Sequence, residues 1–393
     1  MINIPEVQIQ LKQAAVDGWL LYDFQGLNPI ARKLLGVQGN LLTRRWYCWI
    51  PRRGDAVILC HQIEQQGFRW LDLQVRVFKS WTEMMDGLKD LLHGHSTIAM
   101  EYSPLCSIPY VSRVDAGTVE AIEGLGKKVV SSADLVQYFQ ARWSTAQLQM
   151  HLEASRRLMT ILLRTLSEIG DAVRTKASPT EYRVQRTIWE AFPKHELTAA
   201  SPPIIAVNQN SGNPHYEPTQ EHATEIRVGD LLLVDLWAKL DKPGAVYADY
   251  TWMAYLGESI PQRIQAVWET VTGARDTAVA FVRENYAAKR PIQGWEVDAV
   301  ARKYITERGF GDFFIHRTGH NIGEDDHGTG ANLDSLETKD ERQLMTNTCF
   351  SVEPGVYLPE FGVRSEVNVY LDLQETLVTG DPIQTEIYRI STN

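Results

Sequence analysis

The chain contains 393 residues, of which 44% are hydrophobic and 22% charged, as in ordinary globular proteins. This length exceeds what one hydrophobic core usually supports, so we expect two domains. The net charge of -10 argues against nucleic acid as a partner, because binding to phosphates requires clustered lysine and arginine. The sequence shows no basic and apolar leader and no apolar run of about 18 residues or more, so we expect a cytoplasmic protein without a membrane partner.

Short apolar segments alternate with turn signals in the first third of the chain. Residues 19–22, 46–50 and 56–60 are rich in branched and aromatic side chains, which is typical of strands. Residues 81–92 show helical spacing instead. This alternation of strand and helix predicts a separate α/β domain over residues 1–140.

Longer helical patterns begin near residue 144. Leucines recur at near-helical intervals over residues 146–169, and Gly170 is expected to end that helix. The Ser-Pro-Thr-Glu sequence of residues 178–181 predicts the start of a second helix. There Ser178 would be the N-cap and Glu181 the third helical residue, whose side chain completes a capping box.

The second part of the chain mixes helix and strand signals. Helices are predicted over residues 261–284 and 295–308, and segments with strand character cover residues 231–236, 249–256, 349–353 and 363–370. Two stretches share one plan, an acid-bearing apolar strand followed by a turn and a second acid-bearing strand, which suggests a duplicated half-domain. These patterns predict a mixed α and β domain over residues 145–393, with the domain boundary between residues 130 and 145.

Acidic residues occur inside these predicted strands. Asp235 lies in an apolar segment, where burying an unpaired carboxylate costs several kcal/mol. For one isolated aspartate, a salt bridge to lysine or arginine, or a turn-capping role, is the simpler interpretation. Asp249 follows after a Pro243-Gly244 turn, however, so two antiparallel strands could bring both carboxylates to the same face of one hairpin.

Two glutamates repeat this arrangement. Glu353 ends an apolar run and precedes Pro354-Gly355, and Glu366 lies among strand-forming residues. Four carboxylates that converge in one core repel each other unless cations lie between them. A divalent metal is therefore the simplest explanation for the four acids.

Histidines supply an independent indication of a metal. His215 lies in a polar segment, and His316, His320 and His327 fall within twelve residues. A single histidine in such a setting is more often a hydrogen-bonded structural or surface residue than a ligand. A site with four carboxylates and one or two imidazoles is rich in oxygen, which favours manganese, with cobalt, iron or zinc as alternatives, over a structural zinc site.

The order of these residues resembles the five-ligand signature of the pita-bread metallopeptidases, the family of aminopeptidase P, prolidase and creatinase. The five matching positions are Asp235, Asp249, His320, Glu353 and Glu366. Their contexts match as well: Asp-x-Thr at residues 249–251, His-x-x-Gly-His at 316–320, Val-Glu-Pro-Gly-Val-Tyr at 352–357 and Gly-Val-Arg-Ser-Glu at 362–366. The first 140 residues resemble the creatinase-type N-terminal domain, which favours the Xaa-Pro peptidase branch.

The resemblance implies a fold and a ligand set. It implies an α+β C-terminal pita-bread domain over residues 145–393, built from two pseudo-symmetric αβ halves around a curved antiparallel sheet. It also implies two divalent ions. Asp235 would bind one ion in a bidentate manner, His320 and Glu353 would bind the other, and Asp249 and Glu366 would bridge the two.

The resemblance further implies roles in hydrolysis by a metal-bridged hydroxide. Glu353 would accept and pass on the proton, while His215 and His327 would donate hydrogen bonds to the substrate carbonyl. His316 and Arg364 would shape the pocket and bind acidic groups of the substrate. Alternatively, Arg364 merely neutralises a site that is rich in carboxylates.

The expected function is hydrolysis of Xaa-Pro bonds in short proline-containing peptides, by an Xaa-Pro aminopeptidase or dipeptidase that forms a homodimer. The same fold could instead act on a small non-peptide substrate, as creatinase and related lyases do, or could serve as a non-catalytic binding protein. The chain departs from the family pattern in three places. The interval from Asp235 to Asp249 is longer than usual, Trp252 stands where arginine is frequent, and His327 precedes glycine rather than an acid.

Overall fold

The computed structural model describes residues 2–177 and 179–392. The chain folds into two compact units, Met1–Gln140 and Ala141–Asn393. Ser178, the predicted N-cap, lies outside the described residues. Within the described ranges, no helix combines the length and the apolar character that crossing a membrane requires.

The N-terminal unit is an α/β domain built on a six-stranded sheet in the order β4-β3-β2-β1-β5-β6. Its strands are β1 Gly18–Asp23, β2 Trp46–Pro51, β3 Val57–His61, β4 Gln74–Phe78, β5 Thr97–Met100 and β6 Lys128–Ser131. The helices are α1 Ile4–Gln13, α2 Pro29–Leu35, α3 Trp81–Leu91, α4 Ala116–Gly124 and α5 Ala133–Val136. β2 pairs antiparallel with β1 and β3, and the remaining neighbours pair in parallel.

The central strands of this sheet are buried on both faces. In β1, Trp19 and Leu21 pack into one hydrophobic core, while Leu20 and Tyr22 pack into the core on the opposite face. Successive side chains of a strand point to opposite faces, so a strand covered on both sides is apolar throughout. This explains why the segment is a continuous apolar run in the sequence.

Four helices of eight residues or more organise the described part of the C-terminal unit. They are α6 Thr145–Arg174, α7 Glu181–Lys194, α8 Gln262–Ala287 and α9 Gly294–Thr306. A capping box begins α6, because the Ser144 hydroxyl accepts a hydrogen bond from the Gln147 backbone N–H and the Gln147 side chain accepts one from the Ser144 backbone N–H. All four predicted helices of this region are therefore present.

Two predicted helix ends are wrong. Gly170 does not end α6, which continues to Arg174. It lies on the buried side of the helix, where a Cβ would press on Ile390, so the absence of a side chain allows the helix to pack closely there. α7 begins at Glu181 and its N-cap is Thr180, whose hydroxyl accepts a hydrogen bond from the Arg183 backbone. Thr180 has extended backbone geometry and forms a bridge with Glu225, which places the helix start after it.

The strands of the C-terminal unit form a five-stranded, a four-stranded and a two-stranded sheet. They are β7 Leu197–Thr198, β8 Ile204–Val207, β9 Leu231–Leu240, β10 Ala248–Leu256, β11 Asn321–Ile322, β12 Cys349–Val352, β13 Gly355–Tyr357, β14 Gly362–Arg364, β15 Val367–Leu371, β16 Thr376–Thr379 and β17 Tyr388–Ile390. The strands pair antiparallel, except that β10 and β17 pair in parallel.

This unit consists of two similar halves, as predicted. α6 and α7 pack on one side of the sheet that contains β9 and β10, and α8 and α9 pack in the core that contains β12 and β15. The side chains of β9 alternate between these cores: Leu231 and Leu233 face one, and Leu232 and Val234 face the other. Asp235 therefore lies on the same face as Leu233, toward the second half.

The predicted strand over residues 363–370 is two strands. β14 pairs with β13, whereas β15 pairs with β12 and β16. The chain changes partner at Ser365 and Glu366, so the continuous strand prediction is wrong there. This change of partner leaves Glu366 in a break between strands, beside β10.

Candidate metal centre

The β9–β10 hairpin positions the two aspartates. Asp235 lies opposite Thr251 and Asp249 lies opposite Trp237 in the antiparallel register, so both carboxylates project from the same face. The Thr251 hydroxyl lies 3.0 Å from Asp235 Oδ1 and 2.9 Å from Glu366 Oε2. A hydroxyl carries one proton, so Thr251 can donate to only one of these two acids at a time.

The second half of the unit supplies the histidine. His320 immediately precedes β11, and its backbone N–H donates to the Ser351 hydroxyl at 3.0 Å. Gly319 permits this close approach, because a Cβ at that position would collide with the Ser351 carbonyl oxygen. Ser351 also donates to Glu353 Oε1 at 3.0 Å, so one serine on β12 orients both the histidine and the glutamate.

The predicted ligands converge. One ligand atom from each of Asp249, His320 and Glu366 lies within 4.8 Å of the others, and all three residues are buried. His320 Nε2 lies 3.4 Å from Asp249 Oδ2 and 3.3 Å from Glu353 Oε1. Such distances exceed those of hydrogen bonds between well-aligned partners.

The His320 ring turns Nε2 toward the acids and Nδ1 toward the backbone. Nδ1 lies 3.3 Å from the backbone carbonyl of Asn321 and Nε2 lies 3.3 Å from Glu353 Oε1, so a proton on either nitrogen would face an acceptor. Burial, with His327 and Arg317 nearby, holds the pKa of His320 well below its usual range. A neutral ring with its proton on Nδ1 turns the Nε2 lone pair toward two carboxylate oxygens. Lone pairs at this separation repel unless a cation lies between them.

The carboxylates repel one another as well. Burial, together with the charges of Glu366 and the neighbouring acids, raises the pKa of Asp249 well above its ordinary value, and burial does the same for Glu366. Asp249 Oδ1 and Glu366 Oε1 are buried and have no hydrogen-bond partner among the described residues. Buried oxygens without donors are costly, and a divalent cation satisfies both. The donor set therefore fits a divalent metal.

Asp235 has a different partner. The Arg364 guanidinium forms a buried salt bridge with Asp235 and donates to the Thr251 hydroxyl at 2.8 Å. Arg364 also donates to the Tyr357 hydroxyl at 3.2 Å, and that hydroxyl lies 2.8 Å from His316 Nε2. Arg364 and His316 thus form one hydrogen-bonded chain beside the acids. This arrangement corresponds to the alternative interpretation, in which Arg364 neutralises a carboxylate-rich site.

The other two histidines lie at the rim of the cluster. The His327 side chain is exposed, and its ring lies 4.2 Å from that of His320. His215 is also exposed and lies close enough to Asp235 and His327 to act on their charge. The structure brings together the nine residues that the sequence singled out: four predicted ligands and Arg364 are buried, Glu353 and His316 are half-buried, and His215 and His327 face solvent.

The loop between β8 and β9, which carries His215, is held by Glu181. Glu181 was given no role in the metal centre by the sequence analysis. The fully buried Glu181 accepts hydrogen bonds from the Thr224 backbone at 2.7 Å, the Tyr216 hydroxyl at 2.8 Å and the Asn210 amide at 3.0 Å. No lysine or arginine of the described residues pairs with it. Glu181 was singled out as a capping residue, and only the fold could show that it anchors this loop.

Asp326 was missed by the sequence analysis. Its Oδ1 is buried without a hydrogen-bond partner among the described residues. Burial, with the charges of Asp235 and Glu353 nearby, raises the pKa of Asp326 to about 8. The available signal was the acidic run before His327. Runs of acids usually mark solvated surface, which hid the residue.

The sequence matches the model of metallopeptidase family M24 over residues 153–373, which is more than half of the chain. It is 32% identical over 197 residues to an Xaa-Pro dipeptidase of Lactobacillus helveticus, a match that covers 50% of this chain and 49% of that protein. It is also 32% identical over 173 residues to an Xaa-Pro dipeptidase of Pyrococcus furiosus, covering 43% and 44%. The chain thus matches about half the length of these relatives.

Solved structures share the fold over nearly the whole chain. Dipeptidase PepE from Mycobacterium ulcerans has a TM-score of 0.72 at 22% identity, covering 99% of this chain and 97% of that one. X-Pro aminopeptidase from Thermotoga maritima has a TM-score of 0.61 at 22% identity, covering 97% and 99%. This likeness confirms the predicted fold class, an α/β N-terminal domain followed by an α+β pita-bread domain. Taken with the converging acids and the match to the family model, it shows that the chain belongs to metallopeptidase family M24, a family that uses divalent metal.

Proposed function

We propose that the chain is a hydrolase that cleaves Xaa-Pro bonds in short peptides, as an Xaa-Pro aminopeptidase or dipeptidase. The names of the relatives, Xaa-Pro dipeptidase in both species, support this substrate class. The shared fold with a dipeptidase and an X-Pro aminopeptidase agrees with it. The N-terminal unit would be the creatinase-type domain that accompanies Xaa-Pro enzymes.

One observation carries the proposal. Nε2 of His320 faces Asp249 and Glu353, 3.4 and 3.3 Å away, while a buried oxygen of Glu366 has no donor among the described residues. An interior built only for stability would place a donor in this space. The unmatched acceptors support a centre whose partner is a cation.

Five residues would hold two divalent ions: Asp235, Asp249, His320, Glu353 and Glu366. Carboxylate oxygens dominate this set, which favours manganese, with cobalt, zinc or iron as alternatives. When bound, a pair of such ions acidifies a water molecule and polarises the scissile carbonyl.

Glu353 is the proposed proton carrier. Its side chain is 15% exposed, more than those of Asp249 and His320, so it can reach both the cluster and the solvent. Burial raises its pKa to about 7, although the Arg364 charge opposes this. A carboxylate that lies beside the cluster can accept a proton from water and deliver it to the departing amine.

The histidines at the rim are proposed to contact the substrate. His215 and His327 are exposed beside the cluster, so their ring N–H groups can donate to the carbonyl oxygen of the scissile bond as it gains charge. His316 and Arg364 would shape the pocket, with the Arg364 guanidinium holding Asp235 in place. An Xaa-Pro bond has no amide hydrogen, so the site does not need an acceptor for one.

A peptide panel tests the function. The purified full chain, supplied with Mn²⁺, is offered Ala-Pro, Ala-Pro-Ala and Ala-Ala-Ala, and released alanine is measured by chromatography. We expect release from Ala-Pro, from Ala-Pro-Ala or from both, none from Ala-Ala-Ala, loss of activity on chelation and its return with Mn²⁺. Cleavage of Ala-Pro alone would identify a dipeptidase, and cleavage of Ala-Pro-Ala an aminopeptidase.

A matched pair of variants ties the activity to the centre. Asp249→Asn should abolish turnover, because an amide neither replaces the charge nor bridges two ions. Asp241→Asn lies in the exposed turn of the same hairpin and should leave turnover unchanged. Activity that survives Asp249→Asn or full metal removal contradicts the proposal, and bound metal without cleavage of either proline substrate indicates a different reaction in the same fold.

A further inference from the structure

A cleft of about 1080 Å³ lies within the N-terminal unit, on the face of the sheet toward which Tyr22 and Tyr47 point. Small-molecule sites typically have volumes of about 300 to 1,000 Å³, so this space is large enough for a ligand. Its lining residues all belong to the N-terminal unit. None of them is part of the proposed metal centre.

The floor of the cleft is aromatic and apolar. The rings of Tyr22 and Tyr47 lie 5.1 Å apart, and Phe78 and Met84 are buried beside them. Trp81 also lines the cleft with 65% of its surface exposed, which is unusual for so large an apolar side chain. Such a floor suits a flat apolar group, because rings stack on aromatic faces and methionine adapts to their edges.

The wall of the cleft carries positive charge in a chain whose net charge is -10. Arg44, Arg45 and Lys79 line it, and none of the three forms a salt bridge with a carboxylate of the described residues. Asp115 lines it too; its oxygens accept hydrogen bonds from the Thr118 backbone and hydroxyl at 2.9 and 2.8 Å, and its negative charge acts on Tyr22 and Tyr47. The three cations thus outnumber the Asp115 carboxylate in the lining of the cleft.

The Tyr47 hydroxyl is a second, independent sign of a ligand. Tyr47 is only 2% exposed, and its hydroxyl lies 3.8 Å from the Met84 sulfur, a weak acceptor. A buried hydroxyl usually has an oxygen or nitrogen partner. Arg45 lies close enough to this hydroxyl and to that of Tyr22 to act on both electrostatically. The Tyr47 hydroxyl thus lies near both the Arg45 cation and the Asp115 carboxylate, at one end of an aromatic floor.

We propose that this cleft binds an aromatic carboxylate, either as a free acid or as the C-terminal residue of a short peptide. The ring would lie on Tyr22, Tyr47 and Met84. The carboxylate would accept from the Arg45 guanidinium and the Tyr47 hydroxyl, since charge-assisted hydrogen bonds from arginine suit carboxylates. This site is independent of the proposed hydrolase activity.

Calorimetric titration of the full chain tests the site. The probes are 3-phenylpropionate for the free acid, N-acetylphenylalanine for the peptide end, and N-acetylphenylalaninamide as a neutral match. We expect the acids to bind at least about tenfold more tightly than the amide, and more weakly as salt is raised. The acid that binds with the higher affinity shows whether the site prefers a free acid or the C-terminal residue of a peptide.

Variants separate this cleft from other places where a carboxylate could bind. Arg45→Gln should weaken binding of the acids about tenfold, and Tyr47→Phe should weaken it several-fold. Arg53→Gln, an exposed arginine outside the cleft, should bind as the wild type does. Equal affinity for acid and amide, no binding of either acid, or unchanged binding by Arg45→Gln would overturn the proposal. The last result would place the acid elsewhere, including at the metal centre.

Discussion

Single buried carboxyls set how the stability of this chain depends on pH, and Glu101 in the N-terminal unit is the clearest case. It is fully buried, and its oxygens accept from Trp19 at 2.6 Å, Asn28 at 2.8 Å and Ser132 at 3.1 Å. Burial raises its pKa to about 7, and the three donors oppose this only in part. Glu101 therefore joins three segments of the unit at the cost of holding a carboxylate in an apolar interior.

The sign of the pH effect follows from this shift. The folded state holds the Glu101 proton more tightly than the unfolded state, so the free energy of unfolding should fall as pH rises from about 4.5 to about 7. The contribution is about 3 kcal/mol. Glu101→Gln cannot ionise and should show a smaller decline, to which the buried carboxyls of the metal centre still contribute, whereas the exposed Glu120→Gln should retain the full decline. Denaturant unfolding at several pH values measures the slopes, and equal slopes in wild type and Glu101→Gln contradict the assignment.

The sequence alone predicted members of the site where an acidic residue lay within an apolar strand. Asp235, Asp249 and Glu366 were visible for that reason, and the structure places all three in one buried cluster. Asp326 and Glu181 were not recognised as parts of the site. Their importance depends on which distant groups surround them, and neither an acidic run nor a helix start contains that information.

At the scale of elements, the loop that carries His215 depends on a carboxylate of α7. Glu181→Gln leaves one oxygen to accept and turns an amide toward groups that can only donate. We expect kcat/KM on Ala-Pro to fall about 10- to 100-fold through misplacement of His215. Hydrogen exchange of residues 208–224 should become faster at the same time.

The control for this loop is Glu190→Gln on the same helix. Glu190 is exposed and pairs with Arg186 at 3.1 Å, so its loss should change neither activity nor exchange. If Glu181→Gln exchanges and turns over as the wild type does, the loop is held by other contacts.

A glycine fixes the approach of the histidine segment to β12. Gly319→Ala would drive a methyl group into the Ser351 carbonyl, and the segment would have to move. We expect a loss of about 1 to 3 kcal/mol in stability and weaker binding of Mn²⁺. Gly124→Ala, in a helix with open space around it, should be neutral or slightly stabilising. Thermal unfolding and titration with Mn²⁺ measure both effects, and wild-type metal affinity in Gly319→Ala would contradict this role.

Elements were predicted well where periodicity alone determines them and less well at their ends. α8 and β10 lie where the sequence placed them, because their patterns are long. The break at Glu366 was missed, since residues on both sides form strands and only their partners differ. Partner choice is a tertiary property, which local sequence does not encode.

For the whole molecule, length and the change of pattern near residue 140 predicted two parts, and the chain forms two compact units. Metal bound in the C-terminal unit should stabilise the folded chain by mass action. At 100 times the dissociation constant the gain is about 2.7 kcal/mol, so chelation should lower the midpoint of thermal unfolding by several degrees. Calorimetry with and without chelator measures this, and an unchanged midpoint would show that metal does not bind the folded state.

The most direct measurement of the central claim is the metal content of the purified chain. The protein is dialysed against Mn²⁺, freed of excess ion and analysed for bound metal, beside Asp249→Asn and the surface control Asp241→Asn. We expect two ions per chain in the wild type and the control, and a clear loss in Asp249→Asn. A wild-type chain that retains no divalent ion, or an Asp249→Asn variant that retains as much as the wild type, would contradict the account.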